Sequence, residues 1–147
     1  MDRAEKLVLG MASALLVVFL SATVFAVARL DITLPTCFTE MEPFDEGEVI
    51  EHSEDWYEVH YLAAMWFFEP EELEVPAGAT VDLYLTSDDV LHGFQILGTD
   101  VNLMAVPGTV NYKRVTFDEP GEYRIVCHEF CGIDHHWMAA TITVAER

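Results

Sequence analysis

The sequence predicts a mainly β protein, an antiparallel β-sandwich carried on one N-terminal transmembrane helix. Three observations predict it: an unbroken apolar run near the N-terminus, a succession of short apolar segments closed by Pro and Gly after Asp55, and a strongly acidic charge balance. Of 147 residues, 26 are Asp or Glu and 7 are Lys or Arg, for a net charge of −19. A balance this acidic excludes non-specific nucleic-acid binding as the main activity. Aromatic residues at 12%, with only 6 Pro and 8 Gly, exclude a disordered chain. The length holds one ordinary domain plus one extra segment.

The extra segment comes first. Residues 7–28 carry no ionisable side chain, and a helix of that length, rising about 1.5 Å per residue, crosses a hydrocarbon core of roughly 30 Å. A cleavable signal peptide competes, but its apolar stretch is usually about 7–15 residues, so an uncleaved anchor over residues 1–35 is the expectation. Arg3 and Lys6 precede the run, whereas acids dominate the chain beyond it. By the positive-inside rule the chain crosses the cell membrane once, with its C-terminal domain on the extracytoplasmic side.

Residues 36–56 are expected to form an acidic connector. The stretch 40–58 holds nine acids and no Lys or Arg, the pattern of a solvated, self-repelling segment. Acids are spread over the rest of the chain too, and Lys is confined to Lys6 and Lys113. This suggests a halophilic protein, in which high salt screens the repulsion. Cys37, just beyond the anchor, is taken as a free or incidental thiol.

The domain expected over 57–147 is a series of short strands. Apolar segments at 59–68, 73–75, 80–86, 91–97, 101–106, 110–117, 122–127 and 138–144 are separated by signals such as Glu69-Pro70, Pro76-Ala77-Gly78, Pro107-Gly108 and Pro120-Gly121. About eight short strands suit an antiparallel sandwich with a packed two-sheet core.

Between the last two segments lies the loop Cys127-His-Glu-Phe-Cys131-Gly-Ile-Asp-His135-His-Trp-Met138. Two thiols, an imidazole and a thioether on one loop are soft or borderline donors, a set that selects copper over magnesium or calcium. His92, in the Asp-rich turn before Gly93, can supply a second imidazole. A disulfide between the thiols would leave the spacing of His135 and Met138 unexplained. A zinc site could use Cys127, Cys131, His135 and His92, with Met138 as ordinary core. A mononuclear blue-copper site needs one Cys, two His and an axial Met, leaving Cys127 over. Two copper ions bridged by both thiolates use every donor and are the most economical reading.

The pattern Cys127-x-Glu129-x-Cys131-Gly132-x-x-His135-x-x-Met138, with His92 thirty-five residues before the first Cys, resembles the CuA centre of subunit II of haem–copper cytochrome c oxidases. The likeness runs through Leu73-Glu-Val-Pro-Ala-Gly78, Asp89-Val-Leu-His-Gly-Phe94 and Pro120-Gly-Glu-Tyr-Arg-Ile-Val-Cys127. It is greatest for the B-type branch, whose subunit II has one transmembrane helix. The resemblance implies a cupredoxin-like Greek-key sandwich holding binuclear copper. Cys127 and Cys131 would bridge, His92 and His135 would each end on one copper, and Met138 and the carbonyl of Glu129 would be weak axial ligands. His128 and His136 are extra histidines beside the motif, and spacing favours His135 over His136. In A-type relatives the equivalent Glu helps hold magnesium against subunit I; B-type relatives often lack it, which argues against a magnesium role for Glu129.

The function so implied is electron input to a membrane terminal oxidase. Electrons would come from a cytochrome c or a small blue-copper protein and pass to haem in subunit I, where oxygen is reduced. Trp66 lies where relatives place an aromatic near the donor's docking surface, with a core strand position as the competing reading. Phe67 and Phe68 are expected in core or interface, and Trp137, Phe130 and Phe94 as apolar cover over the metal. The alternatives are a free-standing membrane-tethered blue-copper carrier, a copper-storage or delivery module, and a zinc-stabilised binding domain.

Overall fold

The computed structural model describes residues 2–29, 36–38 and 41–147, with the backbone alone at 37 and 38. These residues form two compact units, a helix and a β-domain.

Helix α1 spans Arg3–Arg29. Its start is fixed reciprocally: Glu5 N–H donates to the Asp2 carboxylate and Asp2 N–H to the Glu5 carboxylate, each at 2.8 Å, the logic of a capping box. Arg29 in the last turn complements the helix dipole. The helix buries none of its residues, so Leu16, Phe19 and Leu20 present an apolar surface on all sides, as a helix in lipid does. Among the described residues it is the one helix long and apolar enough to cross a membrane.

The β-domain is two stacked sheets. The first contains β1 (Thr36–Phe38), β2 (Glu48–Ser53), β3 (Trp56–Ala64), β4 (Phe67–Glu69), β6 (Ala79–Ser87) and β9 (Val110–Phe117), in the order β1-β9-β6-β3-β2, with β4 also on β3. The second contains β5 (Glu72–Pro76), β7 (His92–Ile96), β8 (Asn102–Ala105), β10 (Gly121–Val126) and β11 (Ala139–Ala145), in the order β5-β11-β10-β7-β8. Between them Tyr61, Phe68, Leu83, Leu85, Phe94, Ile96, Phe117, Ile125 and Ile142 are fully buried.

Three expectations need correction. The sandwich is not wholly antiparallel, because β3 pairs parallel with β6 and β5 parallel with β11. In each case the chain crosses to the other sheet before returning, and such a crossover can enter in parallel. Residues 59–68 are not one strand: the chain reverses at Met65-Trp66, so that β4 runs back along β3. Phe68 is therefore buried while Phe67 is 46% exposed. The span 36–56 is not simply a connector, since β1 joins β9 and β2 joins β3. The acids of β2 fit an edge strand, whose charges discourage pairing with another chain. The side chain of Cys37 lies outside the described residues.

The outward face of β6 is closed by polar contacts. Asp82, 4% exposed, accepts from Trp56 Nε1 at 2.8 Å, Tyr112 OH at 2.5 Å, and Arg114 Nε and Nη2 at 2.7 Å each. Burial opposes its ionisation, but these donors together hold its carboxyl below the ordinary value.

Candidate metal centre

The antiparallel hairpin β10–β11 closes at Val126 opposite Ala139, and Cys127 N–H then donates to Met138 O at 3.3 Å. The chain between is a tight loop braced by its own backbone, with bonds from His135 N–H to Gly132 O, Trp137 N–H to Asp134 O and Met138 N–H to His135 O. That bonding produces a 3₁₀ turn at His135–Trp137. On the other side β7 pairs with β10, Gln95 opposite Val126. Its N-terminal residue His92 thus reaches the same end of the sandwich as the loop.

There the sulfurs gather. Cys127 and Cys131 are buried free thiols, their Sγ atoms 3.7 Å apart, far beyond a disulfide bond of about 2.05 Å. Cys131 Sγ lies 3.5 Å from His135 Nδ1 and 3.8 Å from Met138 Sδ, with Met138 2% exposed. Cys127 Sγ donates to the carbonyl of Glu129 at 3.2 Å, while the Glu129 side chain is exposed. Donor atoms of His92, Cys127 and Cys131 lie within 4.8 Å of one another. His135 joins this trio through Cys131. His136 is exposed, its ring against Trp137 at 4.9 Å.

His92 tests whether the pocket fits a metal. The residue is fully buried, Nε2 lies 2.7 Å from Asp89 Oδ1, and Nδ1 has no hydrogen-bond partner. An unpaired buried nitrogen is costly, and here it shares a pocket with two thiols. A carboxylate on the far nitrogen is also how metal-bound histidines are usually held. Burial pushes the Cys131 thiol well up, and Cys127 beside it adds to the rise. A cation binding here must therefore displace thiol protons. Sulfurs this close can both reach one ion at a metal–thiolate length of about 2.3 Å. A soft sulfur–imidazole–thioether set suits copper better than a hard cation.

Glycines let other parts close on the loop. Gly132 has φ +127°, and a Cβ there would meet Trp66 Nε1 at 3.0 Å. Trp66 is half-buried, and its Nε1 donates to Cys131 O at 3.2 Å. A Cβ on Gly93 would strike the His128 ring at 2.6 Å, so that ring lies over the residue next to His92. Phe94 is core, whereas Phe130 and Trp137 are 78% and 73% exposed, the Phe130 ring 5.9 Å from that of His135 and the Trp137 ring beside His136. Asp89 belongs to the site although the sequence alone assigns it no role; its signals there are its place in the Asp89-Val-Leu-His-Gly-Phe94 segment and its position three residues before His92. Burial opposes its ionisation, yet hydrogen bonds from His92 and from Val90 and Met65 N–H hold its carboxyl below the ordinary value.

A mixed β-sandwich whose end loop gathers thiol, imidazole and thioether donors defines a protein of the cupredoxin type, with a donor set suited to copper. The family model for cytochrome c oxidase subunit II, periplasmic domain, matches residues 62–145. Cytochrome c oxidase subunit 2 of Thermus thermophilus is 38% identical over 128 residues, 86% of this chain and 95% of that protein. A chain of a heme-copper terminal oxidase dimer solved by cryo-EM is 49% identical, with a TM-score of 0.85 covering 97% of this chain and all of that one. The periplasmic domain of subunit II from Bradyrhizobium japonicum, at 23% identity, shares the fold with a TM-score of 0.56 over 60% of this chain and 83% of its own. The chain belongs to the cytochrome c oxidase subunit II family. It is the electron-input subunit of a membrane oxidoreductase complex whose catalytic partner is subunit I, and a free-standing blue-copper carrier is not favoured.

Proposed function

We propose that this chain receives electrons at a binuclear copper (CuA) centre from a cytochrome c or a small blue-copper protein and relays them to haem in subunit I, doing no oxygen chemistry itself. The observation that carries the reading is the buried, unpaired His92 Nδ1 beside two free thiols. Cys127 and Cys131 would bridge, His92 and His135 would each end on one metal, and Met138 and the Glu129 carbonyl would be weak axial donors. When bound there, copper supplies one-electron redox chemistry with the charge spread over two ions.

The chain's own residues do the rest. The hairpin backbone and the sandwich hold the donors in place, which limits rearrangement between redox states. Burial of Cys131, Met138 and His92 excludes water, and the donor set leaves no open position for a substrate of the kind a catalytic metal keeps. Trp66, half-buried and bonded to Cys131 O, is the electron-input side chain. Met65 beside it, Val90 and Leu91 in the turn before His92, and Phe130, Ile133 and Trp137 on the loop that carries the thiols are exposed, apolar side chains suited to brief donor docking in high salt, where long-range attraction is screened.

Residues 1–35 serve as the anchor, and the acidic residues after it lead into the copper domain. Arg3 and Lys6, in the first turns of the helix and ahead of its apolar run, favour an extracytoplasmic domain. The test is electron paramagnetic resonance with copper quantitation on the full chain in detergent. Splitting from two equivalent copper nuclei and two coppers per chain are expected. One copper with single-nucleus splitting would replace this reading with mononuclear blue copper.

A further inference from the structure

Asp89 stands at a junction that the electron-relay reading does not use. Its Oδ1 lies 2.7 Å from His92 Nε2 and accepts from Val90 N–H at 2.6 Å. Ser87 Oγ approaches the same oxygen at 3.4 Å. Its Oδ2 accepts from Met65 N–H at 2.7 Å. Met65 is the first residue of the reversal between β3 and β4, and the next residue, Trp66, reaches Cys131 O. One carboxylate is thus bonded to the imidazole that faces the thiols and to the turn that carries the indole against them.

The chemistry of those bonds fixes two things. A carboxylate accepts only, so the bond to Nε2 requires the proton on that nitrogen, which in the neutral ring leaves Nδ1 as a bare lone pair. Nδ1 is the buried atom without a partner, so the tautomer Asp89 selects is the one that offers a ligand. Both oxygens receive donors, so an isosteric amide cannot replace the carboxylate, because its NH₂ would face either the Met65 N–H or the His92 N–H.

We infer that Asp89 is a positioning residue that fixes the His92 ring with Nδ1 toward the thiols and, through the same carboxylate, pins the Trp66 turn onto the Cys131 loop. The inference rests on the copper reading for its purpose but not for its test. In the metal-free full chain in detergent, ¹⁵N resonances should show His92 protonated at Nε2 and bare at Nδ1, and a wild-type ring protonated at Nδ1 would overturn the proposal. Asp89→Asn should mix the tautomers and speed hydrogen exchange of the Met65 amide at least about tenfold, and unchanged values for both would overturn it.

Copper loading then separates this proposal from the reading beneath it. If the unaltered chain gives no two-copper spectrum, the CuA reading fails while the metal-free results still decide the role of Asp89. If it does, Asp89→Asn should keep two coppers, alter the remote-nitrogen signal of one imidazole in pulsed paramagnetic resonance, and raise the reduction potential because a negative charge beside the site is gone. Asp89→Glu, which keeps the charge, should restore the potential more fully than the amide. A potential and remote-nitrogen signal identical in Asn and wild type would overturn the positioning role.

Discussion

The indole N–H of Trp66 donates to the main-chain oxygen of Cys131 at 3.2 Å, which joins a half-exposed aromatic on the β3–β4 turn to a candidate bridging thiolate on the β10–β11 loop. Trp66→Phe keeps an aromatic ring but removes the donor, with a loss of about 1 kcal/mol of loop ordering. Electron uptake from the donor protein should slow several-fold in stopped-flow mixing, with little change in the resting copper spectrum. An unaltered rate would make Trp66 a packing residue.

Cys127 and Met138 are expected to fail differently. Cys127→Ser removes one of the two proposed bridging donors, and the two-copper spectrum should vanish. Its persistence would refute the binuclear assignment. Met138→Leu conserves volume in a site 2% exposed, so folding should change by less than about 1.5 kcal/mol. Both coppers should remain while the potential shifts. Loss of both ions on titration would mean that the thioether is a strong ligand.

The donor spacing on residues 127–138 is legible because a hairpin loop keeps its donors together whatever the rest of the chain does. His92 is harder, since its place beside the thiols depends on Gln95 pairing with Val126, a non-local register. The tie from Asp89 to Met65 depends on a reversal hidden inside a continuous apolar run, where Phe67 and Phe68 read as more of the same strand. β2 is masked by its acids, because an exposed edge strand needs no apolar alternation. Parallel pairing of β3 with β6 leaves no local trace, whereas 110–117 is bounded by its own turn signals and coincides with β9.

Asp82 should set a stability limit in acid. Its carboxyl is held below the ordinary value in the folded chain despite burial, so its contribution is complete above about pH 4 and is lost as pH falls through the lower folded value. Asp82→Asn weakens the bonds from Arg114, Tyr112 and Trp56 and should cost about 2–3 kcal/mol. Urea unfolding of the full chain in detergent at pH 7 and pH 3 checks this. The variant should be less stable at pH 7, and the gap should narrow in acid. A gap independent of pH would assign the loss to packing.

The same surface sets a salt dependence. Acids outnumber basic residues 26 to 7, and Glu51, Glu54, Asp55, Glu71, Glu72 and Glu74 are all exposed, so the folded domain concentrates like charge that the unfolded chain spreads out. Raising KCl from about 0.1 M to about 1 M shortens the screening length from about 10 Å to about 3 Å. That should relieve the repulsion between neighbouring strands. The thermal midpoint of the full chain in neutral detergent is expected to rise by about 5 °C over that range, corresponding to about 1 kcal/mol. Potassium chloride separates screening from the exclusion effects of sulfate. A midpoint that stays flat or falls would show that the acids are already neutralised by their local partners and that the composition is not an adaptation to salt.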